Sequence, residues 1–326
     1  MTICKALQRL FKVIALLGWA ASSCAQTNEV FPARPVQMII PVGAGGSTDV
    51  MMRFLANLAE SHLGQRIVMI NRVGGSGMIG VAALTHAVAD GYTIAGAWNG
   101  PLTMAPHLQD AGYGPKDYTV ITMATDAPGV LCVAPSFPAN NAQDFINELK
   151  SKPGKYSYGN EGIGGFVHLS TERIFAKVEI KALAVPFSGA NQTATSFLGG
   201  NVDIYGGGIS SIKQFVDQGR AKCLLLSSSK RHVSLPMVES LTDIGLAELE
   251  TTLWRTVIAP KGVPKDRLLK LQQAFEIAVR DPKFKEFSEA RGEAPWLLSA
   301  EAANQYLQQE YEVMGTLVKK LGLAQK

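Results

Sequence analysis

Four short stretches carry the residues best suited to hold a ligand: Gly43-Ala44-Gly45-Gly46-Ser47-Thr48, Gly74-Gly75-Ser76-Gly77, Asn160-Glu161-Gly162-Ile163-Gly164-Gly165 and Ser188-Gly189-Ala190-Asn191. Glycines leave main-chain N–H groups unshielded, and the hydroxyl and amide residues add further donors. The first stretch is the clearest. Residues 41–50 read PVGAGGSTDV and follow the apolar run QMII, so a buried strand passes through three glycines into a helix whose start is marked by Ser47, Thr48 and Asp49. The free amides of a helix N-terminus, with no side chain in the way, form an anion site.

Which anion depends on context, and several chemistries are excluded. No GxxxxGK[ST] occurs, so the first loop is not a phosphate-binding P-loop. Gly75-x-Gly77-x-x-Gly80 has the form of a dinucleotide fingerprint. However, Asn71-Arg72-Val73-Gly74 separate it from its strand, and the next acid, Asp90, sits in an Asp-Gly turn rather than at a strand end. The histidines, His62, His86, His107, His168 and His232, lack HxxxH or HExxH spacing, so neither a metal nor any other cofactor is expected. There is no GxSxG elbow either. His168 is expected as a core-facing helix residue. Asp49 reads equally as a ligand contact and as an acid that ties down its own loop. Asp203 reads first as a turn former and second as a binding residue.

The elements that would position these loops alternate in type. Strands are expected at 36–42, 66–71, 92–98, 118–124, 130–134, 155–159, 182–187, 202–205, 222–227 and 254–259, with helices between them, which is an α/β pattern. Near the C-terminus, Leu268, Leu271, Phe275 and Val279 follow Pro264 at helical spacing, as do Leu307, Tyr311, Met314, Val318 and Leu321. Two strand-dense places, 117–135 and 242–260, are candidate crossings between two lobes. In open α/β sheets a ligand lies beyond the carboxyl ends of the strands, where the glycine loops are expected.

Residues 1–25 read as a signal peptide: Lys5, Arg9 and Lys12 precede an apolar stretch, Val13 to Ala21, and Ser23-Cys24-Ala25 is a small-x-small cleavage site. Lipoprotein processing at Cys24 is the minority alternative. Cleavage before Gln26 leaves 301 of the 326 residues, and the formal charge falls from +4 to +1, which removes the case for a nucleic-acid partner. Cys132 and Cys223 lie in the apolar runs VLCVAP and KCLLLSS and read as two buried thiols in preference to a disulfide.

Taken in order, FPARPVQMIIPVGAGGSTD, INRVGGSGMIGVAAL, ADGYT, YSYGNEGIGGFVHLSTE, VPFSGANQTATSFLGGNVDIY and WRTVIAPKGVPKDRLLKL resemble the Bug family, solute receptors of tripartite tricarboxylate transporters. The resemblance implies a two-lobed, Venus-flytrap α/β periplasmic-binding-protein fold, each lobe a mixed, mainly parallel sheet flanked by helices. Residues 31–124 and 251–326 would form lobe 1, and residues 125–250 lobe 2. It implies a monomeric, periplasmic, non-catalytic receptor that takes a small organic carboxylate to membrane permease subunits. A sensor for a membrane signalling partner and an exported α/β enzyme are the alternatives. Carried over by position, Val42, Gly43, Ala44, Gly45, Gly46 and Ser47 would meet one end of the ligand directly or through water, with Asp49 fixing that loop. Trp98 and Asn99 would line the cleft wall. Gly162, Ile163, Gly164, Gly165, Phe166 and Val167, with Ser188, Gly189 and Ala190, would supply amides and hydroxyls from the second lobe, and Asp203 stands near them. The carboxylate is expected to be held by amides without an arginine. Glu161 and Ile163 depart from a usually small, polar loop and point to a ligand less charged than citrate.

Overall fold

A computed structural model describes residues 30–187 and 190–324; the expected signal peptide, Cys24, Ser188 and Gly189 lie outside the described residues. The chain runs β1 (Val36–Ile40), α1 (Ser47–Leu63), β2 (Ile67–Asn71), α2 (Met78–Thr85), β3 (Thr93–Trp98) and β4 (Tyr118–Val133). Then follow α3 (Ala142–Ser151), β5 (Ser157–Asn160), α4 (Phe166–Lys177), β6 (Leu183–Pro186), α5 (Ala190–Leu198), β7 (Ile204–Gly208), α6 (Ile209–Asp217) and β8 (Lys222–Leu226). The chain returns through β9 (Thr252–Pro260), α7 (Lys265–Arg280), α8 (Pro282–Glu289), β10 (Ala294–Pro295) and α9 (Ala300–Lys320).

The strands join in the order β2-β1-β3-β9-β4-β7-β5-β6, with β8 and β10 also paired to β4. The wings are parallel: β1 runs with β2 and β3, and β5 with β6 and β7. The centre is antiparallel, because β9 returns beside β3 and β4. Expected strands at 118–124 and 130–134 are one strand. Thr125-Asp126-Ala127-Pro128-Gly129 reads as a break, yet it stays extended and changes partner, facing β9 through Pro128 and β7 from Gly129. A proline is tolerated there because its missing N–H falls where the ladder is handed from one strand to another.

Each wing is covered by helices on both faces. Met51, Met52 and Leu55 of α1 meet Phe275 of α7 over Ile40 and Val257. Val81 and Leu84 of α2 and Leu307 of α9 cover the opposite face with Trp254. In the other wing Phe145, Phe175, Tyr158 and Leu225 form one core, and Phe197, Tyr205 and Ile212 the other. The two C-terminal helices fall where their spacing predicts them. Leu271, Phe275, Val279, Leu307, Met314 and Val318 are buried, and α9 is capped by Ser299, whose side chain accepts from Ala302 N.

One expectation is corrected. Cys132 and Cys223 form a disulfide between β4 and β8, where they are direct cross-strand partners. Apolar flanks gave no indication that the two runs are neighbours in register.

The crossing is also anchored by an acid. Glu310 on α9 is buried and accepts from Thr103 Oγ1 at 2.7 Å and Trp254 Nε1 at 2.9 Å. Burial pushes its carboxyl up to about 7, outweighing the donors from Thr103 and Trp254 that favour the charged form. A carboxyl raised in the folded chain takes up a proton on folding, so stability falls as pH rises from about 4.5 to about 7. Glu310→Gln should therefore gain roughly 2–3 kcal/mol relative to the wild type between pH 5 and pH 8. Urea unfolding at the two pH values measures this, and a difference that does not change with pH would show that Glu310 does not titrate in this window.

Candidate functional site

Loop 41–46 leaves β1 beside the N-terminus of α1. Gly46 caps the helix with no side-chain bond, and its N–H closes a turn onto Gly43 O at 3.1 Å. Beneath the loop lies Asp49, buried, and both of its oxygens are engaged. Gly45 N donates to Oδ2 at 2.9 Å, Asn71 Nδ2 to Oδ1 at 2.8 Å, and Arg53 Nε to both. Asn71 Nδ2 also reaches Val42 O at 2.8 Å. Burial pushes the Asp49 carboxyl up, but the bonds from Arg53, Asn71 and Gly45 outweigh it and hold it below its ordinary value. Of the two readings of Asp49 the structure supports the loop anchor. Asp49→Asn should loosen residues 42–46 and weaken ligand binding about tenfold or more while costing about 1–3 kcal/mol of stability. Calorimetric titration beside urea unfolding tests this; unchanged affinity would disconnect the loop from binding.

The side chains that open α1 turn to a residue the loop motifs did not reveal. Arg255, on β9 and 1% exposed, donates to Thr48 Oγ1 at 3.1 Å through Nε and to Ser47 Oγ at 3.0 Å through Nη2, and is paired with buried Glu293. An arginine thus stands behind the first loop, where Glu293 offsets its charge. The signal was present in LWRTVIAP: a cation inside an apolar strand has to be paired where it is buried.

On the other wing, loop 160–165 follows β5. Gly162 N donates to Asn160 Oδ1 at 3.0 Å, Gly164 N to His168 Nδ1 at 2.9 Å, and Gly165 N to Gly162 O at 3.2 Å. His168 is buried, as expected of a core-facing residue. It also fixes the loop, and burial lowers its pKa, which suits a neutral ring accepting at Nδ1. Gly164 has a φ of +71° and lies against Leu108 so closely that a Cβ would fall 1.8 Å from Leu108 Cδ1. Three loop amides are therefore internal. The N–H groups of Phe166 and Val167, in the first turn of glycine-capped α4, have no intrahelical acceptor. Their side chains are buried with Met104, Leu169, Met314 and Val318, so any contact they make with a ligand would be through the main chain. Ile163 is exposed.

Other expected residues are distributed unevenly. Trp98, at the end of β3, is half-buried against Gly77 and Gly100. Asn99 is buried and ties itself to β9 through Nδ2 to Thr252 O at 2.9 Å, and its Oδ1 has no partner among the described residues. Ala190 opens α5, and Phe187 N bonds Asn160 O at 2.8 Å, which places Phe187 beside the start of loop 160–165. Asp203 is not brought to the others. It precedes β7 and binds Ser157 N and Oγ at the start of parallel β5, the opposite end from the loop.

The start of α1 is thus held at crossing strand β9 by Arg255, Phe166 at the start of α4 lies against Gly129 of crossing strand β4, and nearly the whole chain matches known proteins. Residues 51–323 match the family described as the tripartite tricarboxylate transporter family receptor, TctC. The chain belongs to this family. A UPF0065 protein of Bordetella pertussis is 30% identical over 97% of this chain and 98% of its own length. Among solved structures, the periplasmic binding protein BugD is 29% identical with a TM-score of 0.77, covering 91% of this chain and all of that one. A protein of R. palustris determined with adipate is 26% identical with a TM-score of 0.79 over 90% of this chain and 99% of that chain. The TctC receptor fold is that of periplasmic binding proteins, two α/β lobes linked through crossing strands. Within this receptor Ser47, Thr48 and Asp49 serve the first loop, and Asn160 and His168 the second.

Proposed function

We propose that this TctC-family receptor is exported to the periplasm, holds a small organic carboxylate between its lobes and passes it to membrane permease subunits without chemical change. The lobes would be residues 31–124 with 251–326, and residues 125–250, in a monomer. The observation that carries the reading is that two glycine-capped helix N-termini lie at the crossing strands: α1 through Ser47 and Thr48 to Arg255 on β9, and α4 through Phe166 beside Gly129 on β4 and Leu253 on β9. The ligand would meet main-chain groups of 42–47 and 162–167, the 188–190 connection and the Trp98 wall, with Asp49 positioning and Asp203 outside the site. A carboxylate suits such a place because several amides replace its hydration while Glu293 offsets Arg255. The likeness to the adipate-bound R. palustris protein supports the same ligand class. Binding would be coupled to bending at β4 and β9, since desolvating the carboxylate is offset only when both lobes contribute donors.

Native mass spectrometry of freshly purified protein, followed by a thermal-shift screen, tests the proposal. At least one small carboxylate should raise the melting temperature and bind one to one without turnover. Stabilisation by nucleotides alone, or conversion of the bound acid, would overturn it.

A further inference from the structure

We propose that Glu161 sets ligand specificity: its carboxyl group is a built-in anion of the site, so the receptor takes ligands with a single carboxylate and turns away dicarboxylates. This rests on the reading of the glycine loops as a carboxylate site.

The placement follows from register. Parallel β5 and β7 set Gly159 beside Tyr205, so Glu161, two residues on, comes level with the end of β7. There Gly208 caps α6 with no side-chain bond, and its N–H interacts with the Glu161 carboxyl group. One helix N-terminus is therefore answered from within the chain. Glu161 also lies within electrostatic range of Arg255, without an ion pair to it. That guanidinium is already held by Glu293, Ser47 and Thr48. Arg255 is thus already committed to Glu293 with Glu161 nearby, and it is not free for a second ligand carboxylate.

The remaining donors fit a single carboxylate. Asn160, next to Glu161 and fully buried, uses Oδ1 to accept from Gly162 N, while its Nδ2 has no hydrogen-bond partner among the described residues. A buried donor without an acceptor is rare in a folded chain and points to a ligand or water that supplies one. The amides of Phe166 and Val167 stand in the next turn. Burial pushes the Glu161 carboxyl up against the Gly208 N–H and the Arg255 charge. Charged, it repels a second carboxylate; protonated, it still fills the position with its own oxygens. Either way the arrangement discriminates by repulsion and occupancy as well as by attraction.

Calorimetric titration with matched pairs tests this: propionate and succinate, hexanoate and adipate, benzoate and terephthalate, each against the wild type, Glu161→Gln and Glu161→Ala. In the pair that binds best, the wild type should prefer the monocarboxylate at least tenfold. Glu161→Ala removes both the charge and the occupying oxygens and frees Gly208 N, so it should shift the ratio at least tenfold toward the dicarboxylate, whereas Glu161→Gln removes only the charge and should shift it less. A wild type that prefers the dicarboxylate overturns the proposal, as does a ratio unchanged in both variants when their melting temperatures match the wild type. If neither variant folds, the wild-type ratio decides. Binding of no carboxylate of either kind would overturn the carboxylate reading itself, whereas binding with the wrong preference overturns only the role of Glu161.

Discussion

Arg255→Ala should lower the unfolding free energy by about 3–5 kcal/mol and abolish stabilisation by ligand, because it strands a buried carboxylate and releases the first loop together. Arg255 and Glu293 are both buried and paired, and the same guanidinium holds Ser47 and Thr48 at the start of α1. Removing one partner leaves Glu293 with the donor from Thr125 Oγ1 at 2.7 Å as its remaining polar contact of this set. Arg255→Lys should recover only part of the loss, since a single ammonium cannot span Glu293, Thr48 and Ser47 as the planar fork does. The double change Arg255→Met with Glu293→Leu should restore most of the stability by removing both charges, yet leave binding impaired because Ser47 and Thr48 stay untethered. Urea unfolding and calorimetry on the same four proteins separate these effects. A loss below about 1 kcal/mol in Arg255→Ala would mean that the buried pair contributes little.

Replacing Cys132 and Cys223 together by serine should cost about 2–5 kcal/mol, and a reductant should have a comparable effect on the wild type. The bridge ties residues 91 apart in sequence, so its loss frees a long loop in the unfolded chain. It also joins β8 to β4, the strand shared by both wings, and each serine hydroxyl would then sit in a cluster formed by Val130, Ala194, Phe197 and Leu226. Thermal unfolding with and without reductant distinguishes the contributions. If the double variant matches the oxidised wild type, the bridge adds no stability. Ligand affinity should change little, because the bridge lies within the ladder of β4 and β8 and outside the glycine loops.

Most strands and the two C-terminal helices were legible because their apolar spacing must match one buried face. The strand at Tyr118–Val133 was not legible as a single element. Asp126, Pro128 and Gly129 are turn formers by local propensity, and only pairing with β9 on one side and β7 on the other keeps them extended. The first loop was legible for the same local reason as any helix start: glycine, hydroxyl and acid residues follow one another, and Asp49 bonds Gly45 only four positions away. His168 was likewise within reach, since its bond to Gly164 spans one helical turn.

What the sequence by itself determined is the set of local features: an α/β alternation, amide-rich loops at helix N-termini, and ordered blocks resembling one receptor family. The tertiary structure decided what lies between distant segments. It gave Ser47 and Thr48 an arginine 208 and 207 residues away, paired Cys132 with Cys223, set Glu161 near Gly208 and Arg255, and left Asp203 at the far end of its strand. The physical reason is that capping, turn formation and amphipathic spacing depend on residues a few positions apart. Pairing of buried charges and thiols instead depends on sheet order and register, which the hydrophobic pattern constrains only as faces and not as partners.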